Sequence, residues 1–173
     1  MKRTITQFLL INALVFGAQP IAAEPTDSAT PRIPTDLASL HPDPRFSAAQ
    51  VIRIQLEALG KKDMPYEDAG IEIAFRFASP SNKSITGPLE RFTALVGNPV
   101  YRPMLDHEKV EYGEIIVSQY SAVQAVIVTT RDGRRVGYLF SLSKQKTGRY
   151  ASCWMTDSVT RFDIRGGMTE LPI

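Results

Sequence analysis

The 173-residue chain has few of the side chains on which common catalytic and metal sites depend. It contains one cysteine, Cys153, and two histidines, His41 and His107, which lie far apart in the sequence. A single cysteine cannot form a disulfide within the chain, and this histidine spacing does not match that of a zinc site. The chain also lacks a glycine-rich phosphate loop and a Gly-x-Ser-x-Gly nucleophile motif. We therefore expect no metal site and no cofactor.

The chain also has few apolar runs, and the clearest of them is a short one near the N-terminus. Lys2 and Arg3 form a basic start, residues 8–16 are almost entirely apolar, and small residues follow up to Ala23. This order is typical of a secretory signal peptide. The run is much shorter than the roughly 20 residues that cross a bilayer as a helix. We predict a signal peptide over residues 1–23, cleavage near Ala23, a periplasmic or secreted location, and no stable membrane insertion after cleavage.

An excess of one charge is missing from the predicted mature chain. The whole chain has 20 lysine and arginine residues against 18 aspartate and glutamate residues, a formal net charge of +2. Cleavage near Ala23 would remove two basic residues and no acidic ones, which leaves 18 of each. Binding to nucleic acid or to anionic lipid requires clustered positive charge that remains after processing. We therefore expect neither a nucleic-acid partner nor an anionic-lipid partner.

Proline is concentrated in the segment after the predicted cleavage site. Residues 24–44 hold five of the 12 prolines, together with Thr, Ser and Asp, and show little periodic hydrophobicity. This composition is typical of a flexible tether. Residues 45–164 have the usual size of a single domain, and we assign residues 165–173 to a C-terminal tail.

The first part of the predicted domain has the spacing of helices. Ser47 and Gln50 form a capping-box pattern. The apolar residues that follow recur at helical spacing: Ala48, Val51, Ile52, Leu56 and Leu59. We expect Gly60 to end this helix in a left-handed cap. A short later helix is predicted from Pro88, which fits a first turn, to the stop at residues 97–99.

Residues 71–77 fit two kinds of element. Four apolar residues at alternate positions, from Ile71 to Phe77, have the period of a half-buried strand. A helix that begins near Asp63 and Pro65 also fits, because four apolar residues lie on one helical face: Ala69, Ile73, Ala74 and Phe77. Periodicity alone does not decide between them.

The second part of the predicted domain has the period of strands. Alternating segments cover residues 110–117 with a break near Gly113, and then 123–130, 136–142 and 150–159. Asp132-Gly133 favours a tight hairpin, because both residues readily take positive φ angles. Helices followed by an antiparallel meander predict an α+β domain, with the helices packed on one face of the sheet.

Three stretches in this order resemble a known family. They are "AAQVIRIQLEAL", then "FASPSNKSITGPLERFTALV" followed by "YRPM", and finally "YLFSLSKQKTGRYASCWMTD". Over residues 48–157 they resemble the bacterial domain of unknown function 4864 family. That family is similar to the nuclear transport factor 2-like superfamily, in which a curved antiparallel sheet wraps a long helix into an open cone. The resemblance implies this cone and a helix over residues 71–77, but no activity and no functional residue.

The last predicted strand leaves open which of its faces meets the helices. Tyr150 and Trp154 belong to one face, and Cys153 and Met155 belong to the other. Cys153 is expected in the core, because an exposed thiol in an oxidising compartment is liable to oxidation. That register places Trp154 on the outer face. The inverse register places Trp154 inside and creates an aromatic-lined pocket.

Two functions of different classes fit these patterns. The first is a non-catalytic module that binds a small apolar ligand, or that forms a homodimer through the outer face of the sheet. Its predicted ligand-binding residues are Tyr138, Phe140, Trp154 and Asp157. The alternative is a pocket enzyme of isomerase or dehydratase type, in which Asp157 or His107 works beside a tyrosine such as Tyr112. We favour the binding module, and the enzyme requires one of these acid-base groups within hydrogen-bond reach of a tyrosine.

Overall fold

The structure, a computed structural model, describes residues 36–164. The predicted signal peptide, most of the predicted tether and the C-terminal tail lie outside the described residues. The described part begins with a short 3-10 turn, Leu37–Ser39, before the first helix.

Helices precede strands along the described chain. The helices are α1 (Ala48–Gly60), α2 (Ala69–Arg76), α3 (Pro80–Thr86) and α4 (Leu89–Val96). The strands are β1 (His107–Val117), β2 (Ser121–Thr130), β3 (Arg135–Lys144) and β4 (Trp154–Phe162). They form an antiparallel sheet in the order β1-β2-β3-β4, which confirms the predicted α+β class. None of the described helices is long and apolar enough to cross a membrane.

Helix α1 begins at the predicted capping box. The Ser47 hydroxyl accepts a hydrogen bond from the Gln50 amide at 3.2 Å, and Gln50 Oε1 accepts one from the Ser47 amide at 2.8 Å. The left-handed cap predicted at Gly60 is wrong, because Gly60 is the last helical residue and the cap, Lys61, has a φ of −117°. The absence of a side chain at Gly60 leaves room for His107 instead, because a Cβ at Gly60 would lie 2.6 Å from the His107 ring.

Helix α2 confirms the helical alternative for the ambiguous segment. It begins at Ala69, however, and not near Asp63 and Pro65. The preceding residue, Asp68, has a φ of 58°, which lies outside the helical region and prevents an earlier start.

Helix α3 has no counterpart among the predicted elements, whereas α4 begins and ends as expected. Ser79 caps α3 by accepting a hydrogen bond from the Asn82 amide at 3.1 Å, and Pro80 occupies its first turn. Helix α4 follows Pro88 and ends at Val96.

Strands β1 to β3 follow the predicted segments closely. The pairing of β1 with β2 shifts between Tyr112 and Ile115, which places an irregularity at the predicted break near Gly113. The β2–β3 hairpin turns where predicted, and Gly133 has a φ of 82° there. Asp132 does not have a positive φ, so the type I′ turn that Asp132-Gly133 predicts is wrong. Buried side chains of β3, including Tyr138 and Phe140, form the core with α1 and α2.

Strand β4 departs from its prediction in two places. Residues 150–153 are not part of the strand, because a 3-10 turn, Gly148–Tyr150, and a positive φ of 67° at Ser152 precede it. Within the strand, Thr156 lies opposite Leu142 while Ser158 lies opposite Ser141, so the intervening Asp157 forms a bulge.

The turn before β4 allows both Cys153 and Trp154 to be buried. Trp154 is 8% exposed and belongs to the main core, on the face that Thr156 and Leu142 share. Cys153 is 3% exposed and is buried outside that main cluster. The expected burial of Cys153 is confirmed. Of the two placements left open for Trp154, the structure has the inner one.

Candidate ligand cavity

A cavity of about 210 Å³ lies between the helices and strands β3 and β4. Most of its lining is apolar. The apolar side chains come from each main layer: Leu59 of α1, Ala74 of α2, Phe92 of α4, Phe140 of β3 and Val159 of β4. Such a wall favours an apolar occupant.

Three buried polar side chains form one part of the cavity wall. Gln55 Nε2 donates to the Ala74 carbonyl at 2.9 Å, and the Thr156 hydroxyl donates to Gln55 Oε1 at 2.6 Å. Asn82 Nδ2 donates to the Thr156 carbonyl at 3.1 Å. Asn82 Oδ1 accepts no hydrogen bond from residues 36–164, which leaves an acceptor at the wall. We call Gln55, Asn82 and Thr156 the polar triad.

The connection between α2 and α3 holds the polar triad in place. Thr156 donates its amide to the Phe77 carbonyl at 2.9 Å, and its own carbonyl accepts from the Ser79 amide at 2.9 Å. This short parallel bridge, between Ala78 and Thr156, fastens the connection to β4. The Ser79 cap then starts α3 and directs Asn82 towards β4.

Asp157 is the one charged residue among the described residues that line the cavity. It is the bulged residue of β4 and is partly buried. No hydrogen bond joins it to a tyrosine within residues 36–164. Tyr101, which also lines the cavity, donates its hydroxyl to the Val159 carbonyl at 3.2 Å.

The four predicted ligand-binding residues divide into two pairs. Phe140 and Asp157 line the cavity. Tyr138 and Trp154 are buried in the core and are not among the lining residues. The Tyr138 hydroxyl donates to the Val100 carbonyl at 2.7 Å, and burial raises the pKa of Tyr138 to about 12.

The other two candidate catalytic residues lie apart from Asp157, in a groove of about 240 Å³ between α1 and β1. His107 Nδ1 donates to the Met104 carbonyl at 2.6 Å. The Arg53 guanidinium lies 4.1 Å from the centre of the Tyr112 ring, and burial raises the pKa of Tyr112. His107 and Tyr112 line the same groove and form no hydrogen bond with each other among the described residues.

No three histidine, cysteine or acidic side chains come together as a metal site in the part of the chain that the structure describes.

The polar triad is not among the residues predicted from the sequence, although the sequence contains one signal for it. Gln55 lies one turn from Val51, Ile52 and Leu59, on the apolar face of α1. A polar residue on a buried helical face requires a hydrogen-bond partner inside the fold.

A family model described as Domain of unknown function (DUF4864) matches residues 44–163, more than half of the chain. The chain belongs to this family. The matched part of this DUF4864 domain runs from α1 to β4 and includes every described residue that lines the cavity. No curated protein and no solved structure matches the chain.

Proposed function

We propose that this DUF4864 domain is a non-catalytic module whose cavity holds a small, mainly apolar ligand with one hydrogen-bond donor. The observation that carries the proposal is the combination of apolar walls with the buried polar triad. Ligand sites typically pair an apolar lining with a few polar groups that orient the ligand. Asn82 Oδ1 supplies the acceptor for the donor of the ligand.

The placement of the acid-base candidates supports binding over the isomerase or dehydratase alternative. Asp157 lies in the cavity, whereas His107 and Tyr112 lie in the separate groove. The hydroxyls of Tyr101 and Tyr138 donate to backbone carbonyls. Neither Asp157 nor His107 forms a hydrogen bond with a tyrosine among the described residues, and this arrangement favours the binding role.

The binding role is tested with N-phenyl-1-naphthylamine, a neutral apolar fluorescent probe with one N–H donor. The Val159→Phe variant places a larger side chain at the cavity wall, and Thr160→Phe is its matched control at the next, exposed position of β4. We expect wild type and Thr160→Phe to bind the probe alike, and Val159→Phe to bind it at least about tenfold more weakly. Absence of binding to the wild type, or equal binding by all three proteins, would contradict the proposal.

We also propose that the module functions in the periplasm or outside the cell. The basic start, short apolar run and small residues up to Ala23 support this location. Cell fractionation combined with the intact mass of the purified protein tests it. The expected product is exported and begins at Glu24, while a cytoplasmic protein of full length would refute the proposal.

A second candidate role is self-assembly through the outer face of the sheet. Apolar side chains on that face remain partly exposed: Val123, Ala125, Ile127 and Leu139. A two-fold dimer pairs one such surface with itself. We expect Leu139→Lys to convert a dimer to a monomer in sedimentation experiments, and the exposed Ser84→Lys on α3 to leave it unchanged. A monomeric wild type would exclude this role.

A further inference from the structure

One end of the sheet carries large apolar side chains that are exposed to solvent. Ile116 and Val117 close strand β1 and are 65% and 54% exposed, although successive residues of a strand point to opposite faces. Tyr120, in the turn that follows, is 45% exposed. We call these three residues and the nearby Lys144 and Lys146 the sheet tip.

Hydrogen bonds and strand pairing bring the two lysines to the apolar residues. The Lys144 amide donates to the Tyr120 carbonyl at 2.9 Å. The ammonium group of Lys146 lies 4.7 Å from the centre of the Tyr120 ring. Val117 pairs with Ala122 of β2, which pairs in turn with β3 two residues before Lys144. The ends of three strands therefore meet at the sheet tip.

The cations at the sheet tip have no acidic partner within salt-bridge distance among the described residues. Lys144 and Lys146 form no salt bridge within residues 36–164, and neither does Arg149 in the next loop. At the opposite end of the sheet Arg134 pairs with Asp132 at 2.7 Å, and Arg131 is a single cation without a salt bridge among the described residues. A small formal net charge therefore does not exclude a local group of unpaired cations, and three of them lie around the sheet tip.

We propose that the sheet tip docks on the surface of an anionic lipid bilayer. Ile116 and Val117 would enter the boundary between headgroups and acyl chains, and Tyr120 would lie at headgroup level. Lys144 and Lys146 would face the lipid phosphates. A soluble polyanion would use the lysines but gains nothing from two exposed aliphatic side chains, so a bilayer fits the whole surface better. The inference is independent of the cavity and of its ligand.

Sedimentation with lipid vesicles tests this inference. The full chain is expressed, and the protein is purified in the form that the cells accumulate. The vesicles contain phosphatidylcholine alone or a 7:3 mixture with phosphatidylglycerol. Each basic residue near an anionic surface strengthens binding about fivefold. Lys144→Ser combined with Lys146→Ser should therefore weaken binding to anionic vesicles about 25-fold. The charge-matched control, Arg131→Ser with Arg134→Ser, lies at the opposite end and should leave binding unchanged.

A second pair of variants tests the apolar part of the sheet tip. Ile116→Ser with Val117→Ser should weaken binding to anionic vesicles at least about tenfold. The control Met64→Ser, at a residue that is 67% exposed elsewhere, should have no effect. Equal binding to neutral and anionic vesicles, no binding to either, or a loss that is the same in the control variants would overturn the proposal. Binding to heparin without binding to vesicles would overturn it in favour of a soluble polyanion.

Discussion

The thiol of Cys153 combines burial with an environment that disfavours its ionised form. It is 3% exposed, and burial, followed by the charge of Asp43, raises its pKa. The thiolate is the reactive form of cysteine, so both effects reduce reactivity. The residue therefore acts as a small apolar side chain in the fold.

We predict slow labelling of Cys153 by a thiol reagent in the native protein. Reaction with 5,5′-dithiobis(2-nitrobenzoate) at pH 8 should be at least about 100-fold slower than in 6 M guanidinium chloride, because access requires opening of the fold. The rate is followed by absorbance at 412 nm. Equal rates in the two conditions would show that the thiol is accessible and would refute its place in the core.

Tyr138 should make stability depend on pH in the alkaline range. Its pKa is about 12 in the folded protein against 10.0 for an unperturbed tyrosine, so the folded state holds the phenol proton more tightly. The free energy of unfolding should therefore fall as pH rises from about 10 to 12. Tyr138→Phe should lose about 1 kcal/mol at pH 7, through the missing bond to Val100, and show a smaller alkaline fall.

Urea unfolding at pH 7, 10 and 11.5 measures this difference. Tyr120→Phe, at an exposed tyrosine, is the matched control and should follow the wild type at every pH. Parallel curves for wild type and Tyr138→Phe would contradict the prediction.

Among the helices and strands, those with a regular apolar period occur where that period predicts them. Helix α1 and strands β2 and β3 each have a continuous pattern, and β1 has one interruption, near Gly113, which the sequence also predicts. The predicted faces of β4 depend on an unbroken alternation of side chains between the two faces of the strand, beginning at Tyr150. The positive φ at Ser152 and the bulge at Asp157 break that alternation, and no local residue type announces them.

Helix α3 is not predicted from the sequence, because its residues lack a regular apolar pattern. Its sequence, PSNKSIT, follows the capping Ser79 and begins with a first-turn proline, but it has almost no apolar periodicity. The helix is held by the Ser79 cap and by the bond from Asn82 to β4. Hydrogen bonds to distant residues, and not an amphipathic face, account for it.

The contact between α1 and α2 depends on a glycine. A Cβ at Gly70 would lie 2.0 Å from the Ala58 carbonyl oxygen, so Gly70→Ala must push the two helices apart. We expect a loss of about 2 kcal/mol in the free energy of unfolding, because this clash outweighs the roughly 1 kcal/mol that alanine gains in helix propensity. Gly97→Ala is the control: its new Cβ would have contacts no closer than 3.4 Å, and its effect should stay within about 0.5 kcal/mol. Chemical denaturation measures both variants, and equal stability of the two would refute the predicted clash.

At the scale of the whole molecule, the α+β class and the order of helices and strands follow from the sequence, but the cavity does not. Phe140 and Asp157 were identified as candidate ligand contacts, and both line the cavity. The polar triad joins residues that are 101 positions apart, Gln55 and Thr156, through a side-chain hydrogen bond. Such a contact depends on how α1 packs against β4, which periodicity along one segment does not encode.

A crystal of the protein under xenon pressure shows whether the cavity accepts an apolar occupant, because apolar cavities that stay dry bind xenon. We expect xenon between Phe140, Leu59 and Phe92, with the polar triad keeping its hydrogen bonds. A cavity without xenon, or one closed by movement of α4, would show that these walls do not hold an apolar molecule.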